Sequence, residues 1–398
     1  MSLHTRPLTR SEAFRLALGG CLAIAAAIGI GRFVYTPMLP IMIDALGWSR
    51  FDGGLVASAN FLGYVIGALV AGHRLFSAMP RRWLLIALAI SVVSTAGMAA
   101  SPQMAVLVGL RFVGGIASAF VIICASTLVL ERLSRAGQAK LASVHFAGVG
   151  IGIFISAAVV AAMSAAGNQW QSMWLMSAGA AAFAAMVAAV LVRPSPNADA
   201  ALPAATVRSG GSQAGIVLAY GLFGFGYVIT ATFLVTIVRQ TAEIRALEPW
   251  IWMLFGLAAV PSVPLWQWLS RRIGLARAFA VACLVEAVGV AASVEWMTTA
   301  GVCASAVLLG GTFMGLTALG LMAGRAIAGD RAQRVIGLMT ASFGIGQMIG
   351  PTIAGALAEA TGNLRAPSLL AAAALVIAAA VALVEAGRVG NVALRAAN

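Results

Sequence analysis

Apolar runs of roughly twenty residues, broken by short clusters of charge, proline, serine or asparagine, recur along the whole chain. Each run is long enough for a helix to cross a bilayer. The breaks predict spans at 14–43, 53–73, 83–100, 103–130, 141–166 and 170–192, then at 215–239, 250–269, 275–294, 300–325, 335–360 and 367–386. We number them 1 to 12. The longest polar connection, 193–214, holds three prolines among Ala, Ser and Gly, and predicts a flexible cytoplasmic linker between two six-helix halves, 1–192 and 215–398. The apolar stretch behind Arg6, Arg10 and Arg15 continues too far for a signal peptide, so a retained first helix is expected.

Composition agrees with this pattern. Of 398 residues 61% are hydrophobic and 9% charged, which excludes an ordinary soluble domain. The net charge of +13 does not form a nucleic-acid patch, because the basic residues are scattered singly or in pairs between apolar runs. They are also unevenly distributed. Nineteen of the 25 lie in the terminal segments and the even-numbered connections, four (Arg50, Arg239, Arg245, Arg365) in the odd-numbered ones, and two, Arg32 and Arg111, within spans. The positive-inside rule then puts both termini in the cytoplasm of a bacterial inner membrane.

The halves repeat. Gly29-Ile-Gly31 recurs as Gly224-Phe-Gly226 at an offset of 195, and Gly148-Val-Gly150 as Gly344-Ile-Gly346 at 196, as does Gly114-Gly115 as Gly310-Gly311. Duplicated halves with a site between them are a transporter plan. Gly29-Ile-Gly-Arg-Phe-Val-Tyr-Thr-Pro-Met-Leu-Pro40, Ala59-Asn-Phe-Leu-Gly-Tyr64, Gly224-Phe-Gly-Tyr-Val-Ile-Thr-Ala-Thr-Phe-Leu234 and Gly346-Gln-Met-Ile-Gly-Pro351 make the chain resemble the major facilitator superfamily, and within it the YbfB/YjiJ branch. Arg111 and Gly115 match that superfamily's span 4 pattern. Its loop 2–3 signature is not matched, since 67–82 has basic residues but no Asp at the gating position. The resemblance implies an all-α fold of two pseudo-symmetric six-helix bundles, secondary transport by alternating access, and a part in coupling for Arg111.

Arg32 and Arg111 are the sharpest chemical features. A guanidinium in a span costs about 2.5–3.5 kcal/mol and does not shed its proton, so it needs a counter-charge or several acceptors. Counted from the external ends, the two lie roughly 17 and 12 Å deep, and no carboxylate of the first six spans lies at that depth. Either they hold an anionic substrate, or Arg32 binds carbonyls freed by Pro37 and Pro40 or the Asn60 amide while Arg111 is structural. Tyr35 and Thr36 share the helix face of Arg32. Asn60 and Tyr64 in span 2, Tyr220, Tyr227 and Thr230 in span 7, and Thr340 and Gln347 in span 11 are further substrate-orienting candidates or interhelical packing groups. Gly29, Gly31, Pro37, Gly115, Gly350 and Pro351 are expected at hinges and close packings.

Proton coupling requires a titratable group in the membrane. His145 and Glu286 are the candidates. Gly346 to Gly355 in span 11 resembles the superfamily's antiporter motif, normally on span 5, and leans the expectation toward efflux; an uptake symporter for an organic acid or a transporter-like sensor are the alternatives. The sole lysine, Lys140, belongs to no phosphate loop, and His4, His73 and His145 are too far apart for a zinc pair. No enzyme, cofactor or metal is expected. The expected partners are a small organic molecule, protons and the bilayer, with the monomer as the working unit.

Overall fold

The computed structural model describes residues 8–71, 73, 76, 79–193, 213–328 and 332–397, with 327–328, 332–333 and 386–397 as backbone only. The described residues form helices and connections, without a strand. In chain order the helices are α1 (Arg10–Ile24), α2 (Tyr35–Leu46), α3 (Arg50–Ala71), α4 (Pro80–Gly97), α5 (Met104–Arg135), α6 (Ala142–Ala165), α7 (Trp170–Leu191), α8 (Ala214–Gln240), α9 (Glu248–Ala259), α10 (Ser262–Ile273), α11 (Leu275–Glu295), α12 (Thr299–Ala328), α13 (Ala332–Thr361) and α14 (Arg365–Ala397).

Each predicted span coincides with one helix or with a broken pair. Among the described residues nine helices are long and apolar enough to cross a membrane, and ten if the bent pair α9–α10 is one span. The helices at the two other predicted positions, α4 and α13, are less apolar: α4 opens with Pro80-Arg81-Arg82, and α13 is interrupted by polar residues and glycines. The linker 193–214 lies largely outside the described residues, as do 72, 74–75 and 77–78 of the loop 67–82.

Two spans differ from the uniform helices expected. Span 1 runs from Arg10 to Leu46 as α1, a π-helical turn at Ala25–Ile30, a non-helical turn at 31–34, and α2. Pro37 lacks an N–H, so the Phe33 carbonyl loses its regular helical donor, and a proline in the first helical turn follows such a break without strain. A left-handed Gly47 (φ 64°) ends α2, its N–H returning to the Ile43 carbonyl. Span 8 bends by 45° between α9 and α10, at Val260-Pro261.

The helices up to Leu191 pack together, as do those from Ala214 onward, and the two groups meet where α3 lies along α13, α6 along α9 and α2 along α8. Small residues allow close backbone approach. A Cβ on Gly29 would sit 2.5 Å from the Gly152 Cα, so the π-helical turn and α6 touch main chain to main chain.

Candidate functional site

The break in span 1 lies at the junction of the halves. Arg111 reaches it from α5, donating from Nη1 to the Gly31 carbonyl and from Nη2 to the Arg32 carbonyl, both at 3.0 Å. Its guanidinium lies over the Tyr35 ring, 4.8 Å from the centroid. Trp252 of α9 donates its indole N–H to the Phe33 carbonyl at 3.1 Å, filling the place left by Pro37. The Gly31, Arg32 and Phe33 carbonyls of span 1 are thus held by Arg111 and Trp252 rather than by the Arg32 side chain.

Arg32 points another way. It is buried, and its Nη2 donates to Ser118 Oγ at 2.9 Å. The guanidinium stacks over Tyr64, 4.0 Å from the centroid, with Phe61 at 5.5 Å. Its Nε has no hydrogen-bond partner, and no carboxylate pairs with it among the described residues. The Thr230 hydroxyl and the Gln347 side-chain oxygen are likewise buried without a partner. Tyr227, within electrostatic reach of Arg32, accepts a hydrogen bond from the Gln347 amide and lies between Phe313 and Phe343, with centroids 4.9 and 5.8 Å away. Tyr220 stacks on Phe343 and donates to the Thr317 carbonyl. The space bounded by Arg32, Thr36, Phe61, Arg111 and Thr232 amounts to about 10 Å³, roughly room for one water.

The other expected companions of Arg32 are engaged elsewhere. Tyr35 donates to the Gly53 carbonyl at 2.9 Å, and Asn60 to the Arg111 carbonyl at 2.8 Å. Thr36 donates across the halves to the Ala231 carbonyl at 2.7 Å. That contact starts a series running to the end of the bundle formed by the odd-numbered connections. Thr352 bonds Ser58 at 2.8 Å, Arg239 pairs with Asp44 at 2.6 Å and with Glu248 at 2.7 Å, the Phe51 amide donates to Glu359 at 3.0 Å, and Arg50 donates to Gln240 at 3.1 Å. Both Thr36–Ala231 and Asp44–Arg239 join residues 195 apart, the offset of the glycine repeat in spans 1 and 7. They therefore mark the axis relating the two halves. At the same end, Gly54 of α3 faces the carbonyl of Pro351, where a Cβ would overlap it.

A helical bundle with two buried guanidinium groups, Arg32 and Arg111, that no carboxylate pairs with among the described residues invites comparison with membrane carriers. The family described as "Uncharacterised MFS-type transporter YbfB" matches residues 24–383. The chain belongs to that family. A curated relative, the "Uncharacterized MFS-type transporter YceJ" of Bacillus subtilis (strain 168), is 29% identical over 228 residues, which is 54% of this chain and 56% of that protein; the match spans little more than half the length of either. Two structures of the nucleoside transporter NupG share the fold. A mutant form superposes with TM-score 0.73 at 14% identity, covering 93% of this chain and 99% of that one, and the other gives 0.69 at 14% identity over 94% and 98%.

This MFS transporter places its two expected titratable groups far from one another in chemistry. His145 is buried within the N-terminal half, its Nε2 3.1 Å from Ser126 Oγ and its ring against Gly20 and Phe146. Glu286 is fully buried in α11, a helix packed against α12 and α14 of the C-terminal half. Of the expected packing residues, Gly31 lies against Ser91, Gly115 against the main chain of Asn60, and Gly350 against Val228. Ser118, Trp252 and the rings Phe33, Phe61, Phe313 and Phe343 were not singled out by sequence. An indole in an apolar run needs an acceptor for its N–H, and that was the available signal for Trp252.

Proposed function

We propose that the protein is a secondary transporter that moves a small organic anion across the bacterial inner membrane, with both termini in the cytoplasm and the halves 1–192 and 215–398 rocking about the site between them through the linker 193–214. In this reading the helices make twelve crossings and the monomer is sufficient. The observation that carries it is Arg32, a buried guanidinium with a free Nε and no carboxylate partner among the described residues. Such a charge is costly in a membrane protein unless a ligand supplies its counter-charge. A carboxylate seated on Nε and Nη2 would meet the planar fork, with Thr230 and Gln347 offering their unpaired groups and Tyr64 and Tyr227 their rings. Arg111 holds span 1 in shape around this place. The cross-half contacts at the odd-connection end correspond to closure toward the outside.

The test is a panel of small carboxylates screened by thermal stabilisation of the purified protein, followed by flux in proteoliposomes. Arg32→Ala abolishes stabilisation by the active anion and Arg32→Lys weakens it. If Arg32→Ala binds that anion with unchanged affinity, the guanidinium is structural and the anionic substrate loses its support.

A further inference from the structure

We propose that the odd-connection end of the bundle holds a binding site for a soluble oxyanion of two negative charges, and that its occupant latches the two halves together there. The site shares no lining residue with the space around Arg32 and does not rest on the anion proposed for that residue. The four basic residues of the odd-numbered connections, Arg50, Arg239, Arg245 and Arg365, come together at this end. Three of them, Arg50, Arg245 and Arg365, line one cavity of about 480 Å³, with Gln240, Thr241 and Asn363 as further polar lining and no Asp or Glu in its wall. Arg50 opens α3 in the N-terminal half, Arg245 lies in the 3₁₀ turn Ala242–Leu247 that follows α8, and Arg365 opens α14. Each guanidinium is fixed by part of its donor set. Arg50 donates from Nη1 to the Gly362 carbonyl at 3.3 Å and from Nη2 to Gln240 at 3.1 Å, Arg245 donates from Nε to the Arg239 carbonyl at 2.8 Å, and Arg365 meets Glu295 with Nε and Nη2 at 2.6 and 3.0 Å. The Nε of Arg50 is buried without a partner, and neither Nη of Arg245 has one among the described residues.

Charge counting sets the class of ligand. Arg365 is balanced by Glu295, whereas no carboxylate pairs with Arg50 or Arg245 among the described residues. The acids nearby are used otherwise: Glu359 accepts from the Phe51 amide, and Asp44 and Glu248 both pair with Arg239. Glu243, in the same 3₁₀ turn as Arg245, is exposed and does not line the cavity. The wall therefore carries two unbalanced positive charges. Fixed guanidinium forks each meet a pair of oxygens, which favours a dianion such as sulfate or hydrogen phosphate over a halide. The apolar sides of the cleft, Ile237 and Leu364 among them, concentrate the field of these like charges. Arg245 also borders a neighbouring cavity of about 260 Å³, but the other cation there, Arg239, already has its two carboxylates. The latch follows from where the donors come from. Arg50 belongs to one half and Arg245 to the other, so an anion between them adds a bond across the junction, and parting of the halves at this end takes Arg50 away from Gln240 and Gly362. A ligand of the closed form alone favours it by a factor of one plus its concentration over its dissociation constant.

The probe is sodium sulfate, added to the full-length protein in nanodiscs of zwitterionic lipid while sodium chloride holds the ionic strength constant. Calorimetric titration should show saturable binding that Arg245→Gln, a change at an exposed position, weakens at least about tenfold through loss of charged hydrogen bonds. Arg32→Ala should bind sulfate as the parent does, which separates this site from the central one. For the latch, the native cysteines are replaced and spin labels are placed on Asn168→Cys and Thr299→Cys, one in each half at this end. Sulfate at ten times its dissociation constant should lower the ratio of long to short inter-label distances about tenfold in the parent and leave it unchanged in Arg245→Gln. An equal response to chloride would be general screening, loss of binding in Arg32→Ala would place the sulfate at the central site, and an unchanged distance distribution would remove the latch; each overturns the proposal. So does binding that appears only when phosphatidylglycerol is added to the nanodiscs, since a lipid headgroup would then be the occupant.

Discussion

Replacing Arg111 by Lys separates the two roles open to that residue. The positive charge is kept, so the cost of burying it largely cancels between variant and parent. What is lost is geometric: an ammonium does not reproduce a fork that meets the Gly31 and Arg32 carbonyls at 3.0 Å each while lying over the Tyr35 ring. Loss of one hydrogen bond from a charged donor is worth about 1.5–3 kcal/mol; the cation–π contact, about 2 kcal/mol when desolvated, is kept in part by an ammonium, so its weakening adds roughly 0.5–1 kcal/mol. Interhelical hydrogen bonds in membranes average nearer 0.6 kcal/mol because the unfolded state finds partners, so the expected loss is about 2 kcal/mol. Unfolding in mixed micelles by added dodecyl sulfate, followed by tryptophan fluorescence, measures it. Stability within about 0.5 kcal/mol of the parent would refute the clamp; if ligand binding vanished at the same time, Arg111 would be a substrate contact instead.

Two further outcomes concern closure at the odd-connection end. Asp44→Arg sets like charge against Arg239; because Asp44 is 60% and Arg239 28% exposed, overall stability should change by less than about 1 kcal/mol. With the native cysteines replaced, Ala231→Cys should nonetheless become reactive to an impermeant thiol reagent from outside, and unchanged labelling would show that the pair does not restrain opening. Gly54→Val places a branched side chain against the Pro351 carbonyl and should hold α3 and α13 apart, giving the same labelling increase without loss of expression. Labelling equal to the parent would mean that the helices accommodate the side chain while closed.

The helix positions were legible because apolar runs and their breaks depend only on local sequence. Span 1 shows where that ends. Pro37 and Pro40 announce an irregularity, yet the π-helical turn and the non-helical turn fall upstream in an Ala-, Gly- and Ile-rich stretch, held by Arg111 about eighty residues away. Pro261 similarly marks the bend in span 8 but not its 45° angle. Arg32 was identifiable as a costly charge and Tyr64 as a candidate near it; its other surroundings were not, because helical spacing puts Tyr35 and Thr36 on a shared face without saying which neighbour accepts their hydrogen bonds. Ser118 carried no signal, being one small hydroxyl among many. Asp44 and Arg239 did carry one, since opposite charges at the repeat offset can be read from the sequence.

That pair also bears on how such a chain arises. In a dimer of identical six-helix subunits, positions meeting on the two-fold axis are occupied by the same residue, so the place of Asp44 and Arg239 would hold two aspartates or two arginines and would repel. Covalent fusion lets each copy mutate independently. An attractive ion pair on the axis is therefore open only to a duplicated gene, and it makes the two halves no longer interchangeable: a chain rebuilt from two copies of either half would meet itself there with like charge.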